Sequence, residues 1–144
     1  MKFYFFDTSA LVKRYHSEKG TREVDRIFAE DDSAIVISNI SITEMVSALN
    51  RKKEEKVIMK KDLDMALSKF FHDVIKDFLV LELNEDHIKE SIVLVLKRNL
   101  RALDSLQLSV ALDLKELKVI FVSADKKLVS IAEKEGLEAI NPET

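Results

Sequence analysis

Four adjacent aromatic residues, Phe3, Tyr4, Phe5 and Phe6, stand almost at the start of the chain. An apolar run without polar alternation needs cover on both faces, which suits a central strand of a parallel sheet. Ala34–Ile37, Phe78–Leu81 and Val119–Val122 repeat that form, and Leu137–Ile140 reads as a short edge strand. Between these runs the apolar spacing changes to the helical period. Val24, Ile27 and Phe28 share one face, and Met45, Val46 and Leu49 share another. The clearest repeat is Met59, Leu63, Ala66, Leu67, Phe70, Phe71 and Val74, which predicts a helix with a core-facing stripe. Ile88, Ile92, Val95 and Leu96 predict a helix that Asn84 can cap. Leu103–Leu114 is apolar around most of its circumference and predicts a central helix, with Asp104 as the odd member of its first turn.

Strands interleaved with helices predict an α/β fold: a mostly parallel central sheet of four or five strands, covered on both faces. Two consecutive helices over 41–76, with no strand between them, form a helical-pair insertion into that alternation. At 144 residues the chain is expected to be one domain, 1–144, with a substantial core. The absence of cysteine excludes disulfides, thiolate chemistry and cysteine-based zinc sites. Two glycines exclude a glycine-rich phosphate loop. No stretch reaches the roughly 20 apolar residues of a spanning helix, so a cytoplasmic protein with no membrane partner is the default expectation. Lys and Arg number 23 against 26 Asp and Glu, a formal charge of −3 that neither announces nor excludes a nucleic-acid partner.

The candidate chemistry lies in four acids at the ends of elements. Asp7 follows the first strand, at the sheet edge where open α/β folds bind ligands. Asp125 lies just beyond the fourth strand, and Glu44 and Asp104 fall early in helices with apolar neighbours. Each acid has an ordinary explanation, because the helix dipole favours carboxylates near helix starts. Parallel strand ends and the helix starts that follow share one side of the sheet, so the four can converge. Clustered carboxylates repel and need a counter-ion. An oxygen-only donor set suits Mg²⁺ or Mn²⁺ rather than zinc. None of the histidines is a catalytic candidate: His16 and His87 read as surface residues, and His72 lies in the helical insertion, remote from the acidic segments.

Four segments carry a family resemblance: Phe6-Asp7-Thr8-Ser9-Ala10-Leu11-Val12-Lys13, Ile42-Thr43-Glu44, Leu100-Arg101-Ala102-Leu103-Asp104-Ser105-Leu106-Gln107-Leu108, and Phe121-Val122-Ser123-Ala124-Asp125-Lys126-Lys127-Leu128. In this order and spacing they resemble the PIN-domain family of metal-dependent ribonucleases, and most of all the VapC toxins of type II toxin–antitoxin pairs. The resemblance implies a PIN-like three-layer α/β/α sandwich. It implies an acidic site of Asp7, Glu44, Asp104 and Asp125 holding one or two Mg²⁺ or Mn²⁺ ions, with Ser9, and less directly Thr8, orienting the first aspartate. It implies an endoribonuclease that hydrolyses RNA phosphodiester bonds to leave a 5′-phosphate and a 3′-hydroxyl, an antitoxin protein as partner, and a homodimer. Gln107 departs from the pattern, since the family often has histidine there. Lys13, Arg14, Arg98 and Arg101 flank the acidic segments and are the candidate RNA-binding rim, against the ordinary expectation of solvated helix-end cations. The rival expectations are a stand-alone PIN-like nuclease of RNA processing or DNA repair, a phosphatase-like hydrolase, and a catalytically silent α/β interaction module.

Overall fold

The computed structural model describes residues 1–144. Five strands, β1 (Lys2–Phe6), β2 (Ser33–Ser38), β3 (Leu79–Leu81), β4 (Ile120–Val122) and β5 (Glu138–Ile140), form one sheet in the order β3-β2-β1-β4-β5. Every neighbouring pair is parallel. The aromatic strand is the central one: Tyr4 is in register with Ile35 of β2 and with Ile120 of β4. Successive side chains of a strand point to opposite faces, so the aromatic run supplies both cores. Tyr4 and Phe6 join Ile35, Ile37, Ile120 and Val122 on one face. Phe5 joins Val36 and Phe121 on the other, its ring stacked 5.8 Å from that of Phe121.

The first face is covered by α1 (Thr8–Leu11) with a 3₁₀ turn at Val12–Arg14, α2 (Thr21–Phe28), α3 (Ile40–Glu54) and α4 (Lys60–Lys76). The second is covered by α5 (Glu85–Arg98), α6 (Ala102–Leu112) and α7 (Lys126–Lys134). The result is the three-layer α/β/α sandwich, with α3 and α4 as the helical pair between β2 and β3. Six residues of α6 are buried, which makes it the central helix that its apolar circumference predicts. No helix is long and apolar enough to cross a membrane.

Three local expectations need correction. The stripe on α4 is core for most of its length but not all: Leu63 and Phe70 are buried and Ala66, Leu67 and Val74 pack against the same core, whereas Met59 and Phe71 are exposed. A helix at the margin of a layer needs fewer anchors than its periodicity offers. The segment Ala10–Tyr15, which by sequence reads as a short helix capped by Ser9 or Thr8, is instead an α-turn passing into a 3₁₀ turn. His87 is buried rather than solvated, because its Nδ1 accepts from the Asn84 N–H at 3.0 Å and its Nε2 bonds the Asp113 carboxylate, tying the start of α5 to the end of α6.

Candidate active site

The carboxyl end of the sheet positions the site. β1 lies between β2 and β4, so the chain connections diverge from it, and the gap at the end of such a strand is open to ligand. Asp7 occupies that point and its N–H donates to the Val122 carbonyl at 3.0 Å. The residue is 6% exposed. Ser9 Oγ donates to Asp7 Oδ2 at 2.6 Å, and Ser123 Oγ donates to the same oxygen at 3.0 Å. Oδ1 makes no hydrogen bond. Ser9 Oγ also accepts from the Ala124 N–H, and Ser123 Oγ from the Asp125 N–H, so the two hydroxyls fasten Asp7 to the loop after β4. Burial pushes the Asp7 carboxyl up to about 6; the two hydroxyls act against this, and the charges of Asp104 and Glu44 add to it. The carboxyl group therefore sits within the electrostatic reach of two of its three expected companions.

Glu44 stands on α3 and is held from one side. Its Oε1 accepts from Thr8 Oγ1 at 3.0 Å and from Gln107 Nε2 at 2.8 Å. The same Gln107 amide donates to the buried Ser41 Oγ at 2.7 Å. Oε2 of Glu44 makes no hydrogen bond, so one carboxylate oxygen is fixed and the other is presented. Gln107 is 1% exposed, and its Oε1 is a buried acceptor without a partner. The amide cannot be turned to satisfy it, because Glu44 needs a donor at that position. Thr8, Ser41, Gln107 and Ser123 thus support the acids. Of these, the sequence points only to Thr8 for an orienting role and marks Gln107 as a departure from the family pattern. Polar residues inside the apolar run of α6 and at the exit of β4 were the available signal.

Asp104 is half-buried in the first turn of α6, and burial raises its pKa; the Arg101 guanidinium lowers it and the Asp125 charge raises it. Arg101, 84% exposed along its side chain, lies 3.4 Å from Asp104 Oδ2 and 3.7 Å from Asp125 Oδ2. It therefore bridges the two outer acids. Asp125 has a second task, because its Oδ1 accepts from the Leu128 N–H at 3.1 Å and caps α7.

Of the four candidate rim cations, Arg101 is the one that lies against the acids. Lys13 is buried and paired with Glu143 at 2.7 Å and Glu18 at 3.5 Å. Arg14 pairs with Asp25 at 2.8 Å and lies over the Phe28 ring, and Arg98 pairs with Glu135 at 2.7 Å. Glu143 and Glu135 come from segments distant in sequence, and Glu18 and Asp25 lie 5 and 11 residues on, outside the i+3 and i+4 spacing of a helix, so no local pattern marks these pairs. A groove of ≈ 530 Å³ opens beside Glu44 between α3 and α6, and Arg51 lines it.

No three of the acids, with or without histidine, form a ready-made coordination group as they stand. The donor chemistry nevertheless fits a hard divalent cation. All candidate donors are carboxylate oxygens, and the hydrogen bonds fall on Asp7 Oδ2 and Glu44 Oε1, leaving Asp7 Oδ1 and Glu44 Oε2 without one. Mg²⁺ needs only one or two protein carboxylates and keeps several waters.

Comparisons with known proteins agree with this architecture. No curated protein matches the chain. A VapC20 toxin from Mycobacterium tuberculosis, a toxin described as cleaving the sarcin–ricin loop, has a similar structure with a TM-score of 0.68 at 14% identity, covering 96% of this chain and 99% of that one. PAE2754 from Pyrobaculum aerophilum gives a TM-score of 0.64 at 21% identity, over 96% of this chain and 83% of that one. A chain of a toxin–antitoxin complex from Klebsiella pneumoniae gives 0.60 at 17% identity, over 96% and 97%. At such identities the likeness is one of fold. The sequence itself matches the family model of the PIN domain over residues 4–134, from the central strand through the last helix, and on that match the chain belongs to the PIN-domain family.

Proposed function

We propose that this chain is a Mg²⁺- or Mn²⁺-dependent endoribonuclease that hydrolyses phosphodiester bonds in RNA, and that it is the toxin of a toxin–antitoxin pair in the cytoplasm, with an antitoxin protein and a second copy of itself as partners. One observation carries the reading: an oxygen-only set of acids, led by the buried and electrostatically disfavoured Asp7, at the open end of the central strand. A carboxyl group buried in this way is costly unless a positive charge joins it. Asp7, Glu44 and Asp104 would hold a divalent cation, which would lower the pKa of a bound water and stabilise charge developing on a phosphate. The residues of the chain supply the rest. Ser9 and Ser123 hold Asp7 Oδ2 and direct Oδ1 away from themselves. Thr8 and Gln107 hold Glu44 Oε1 and leave Oε2 for the ion or for a water. Asp104 shares the burial of the site. Asp125 joins from the outer side, and Arg101 offers a cation to an incoming phosphate. The toxin assignment draws on the VapC-like order of motifs and on the toxin structures that share the fold.

Purified protein with Mn²⁺ is expected to cleave single-stranded RNA, and Asp7→Asn is expected to reduce that cleavage by at least about a hundredfold. Equal rates for the two would remove the assignment. A catalytically silent module is the second reading, favoured by the cap that Asp125 makes and by Arg101 across the outer acids. Calorimetric titration with Mn²⁺ separates the two, since a silent module takes up no ion that Asp104→Asn abolishes.

A further inference from the structure

The groove between α3 and α6 begins at the acids and leads away from them. Thr8 and Glu44 belong to both the groove and the acidic site, and Leu103, 52% exposed, forms the wall from α6. Along α3 the lining continues through Thr43 and Ser47 to Arg51. Arg51 is exposed, yet no carboxylate lies within ion-pair distance of it and its guanidinium makes no hydrogen bond. This sets it apart from Lys13, Arg14, Arg98 and Arg101, each of which is paired with an acid. Arg51 follows Glu44 by seven residues, two turns on the same face, or roughly 10 Å along the axis. Helical side chains lean toward the N-terminus, the direction of the acids from Arg51, and Arg51 and Glu44 line the same groove. An unpaired fork of N–H donors matches the geometry of a phosphate.

We propose that this groove holds the single-stranded RNA on one side of the cleaved bond, and that Arg51 binds a backbone phosphate a few nucleotides from the one at the acids. The proposal rests on the ribonuclease reading above. Thr43 and Ser47 add hydroxyl donors along the path, and Leu103 with Ile40 supplies apolar surface for a base. Such a contact reads no sequence; it sets the register of the strand and makes binding depend on salt. It also explains how an acidic centre in a chain of net charge −3 holds a polyanion, since a second cation, besides Arg101 among the acids, lies where the strand leaves the site.

The test compares two substrates in Mn²⁺: a single-stranded RNA oligonucleotide, and bis(4-nitrophenyl) phosphate, which is too short to reach from the acids to Arg51. Arg51→Glu is expected to raise KM for the RNA by about tenfold or more, and its loss on RNA should exceed its loss on the small diester by a similar factor. Arg51→Ala should lower the slope of log KM for RNA against log salt by about 0.7, as for one lost phosphate contact to a single strand, and Arg51→Lys should restore it. An unchanged KM and salt slope would overturn the proposal while leaving the nuclease intact. Equal losses on both substrates would overturn it too, by showing that Arg51 acts through Glu44. Loss of binding to a co-expressed antitoxin without any effect on RNA would assign the groove to a protein instead. If the wild type cleaves neither substrate, the ribonuclease reading fails and the groove proposal falls with it.

Discussion

At the scale of single residues, Asp7 is where fold and chemistry conflict. Its folded carboxyl is pushed from the ordinary value of 3.8 up to about 6, chiefly by burial. Below pH 3.8 the group is neutral in folded and unfolded chains and has no effect. Between that pH and about 6 the folded chain keeps a proton that the unfolded chain has lost, so stability falls as pH rises. Above about 6 the whole penalty is present, on the order of 3 kcal/mol at about 1.4 kcal/mol per pH unit. Asp7→Asn in chelator is therefore expected to melt about 6 °C or more above the wild type at pH 7.5, with the difference vanishing near pH 3.8. Thermal denaturation at the two pH values checks this, and an equal melting point at pH 7.5 would contradict it. Gln107 gives a second residue-scale prediction. Gln107→Leu removes the donor that fixes Glu44 Oε1, and it also removes a buried acceptor without a partner. The two effects oppose each other in stability, within about 1 kcal/mol, whereas cleavage should fall about tenfold in kcat because Glu44 loses its orientation. A fall in melting temperature with kcat intact would make Gln107 a structural residue only.

At the scale of elements, Asp125 separates two roles that share one side chain. As the cap of α7 it contributes about 1 kcal/mol, and Asn caps nearly as well as Asp. Asp125→Ala should therefore lose that stability, Asp125→Asn should keep it, and both should lose cleavage if the carboxylate serves the ion. Retained activity in Asp125→Asn, measured with Mn²⁺ on RNA, would confine the residue to its cap. The same element shows how far sequence carries. β1 was legible because four aromatics in a row have no half-exposed solution, and Asp7 was legible because it ends that strand. The order β3-β2-β1-β4-β5 was not, since pairing depends on crossovers that local pattern does not encode. The four acids were legible from their places at element ends. The hydroxyls and the amide that aim them were not, because Ser41, Gln107 and Ser123 act through residues more than thirty positions away. Lys13 misled for the matching reason: its partner Glu143 lies at the far end of the chain.

At the scale of the molecule, the largest exposed apolar side chains of α5 remain after the two cores and the site are accounted for. Between α5 and α6 a groove of ≈ 470 Å³ is lined by Ile88, Ile92, Val95, Leu96, Ala102 and Leu106 together with two serines. Leu96 is 81% exposed and Ile92 56%. An apolar cluster of this kind on a free surface favours association, and a two-fold axis lets the same patch serve both subunits. The acidic start of α5, Glu85 and Asp86, and its basic end, where Lys97 and Arg98 share the single carboxylate of Glu135 and leave a net positive charge, suit an antiparallel meeting of two copies of that helix, in which each end faces its opposite. The homodimer proposed for this chain is therefore expected to use α5. Light scattering should give the mass of two chains for the wild type and of one chain for Ile92→Glu combined with Leu96→Glu. Both positions are exposed and lie on the side of α5 away from the buried Ser91 and Leu94, so the variant should keep the wild-type far-ultraviolet spectrum. A folded variant that still sediments as a dimer would move the interface elsewhere, and the exposed row Met65, Phe71 and Ile75 on α4 would be the next surface to charge.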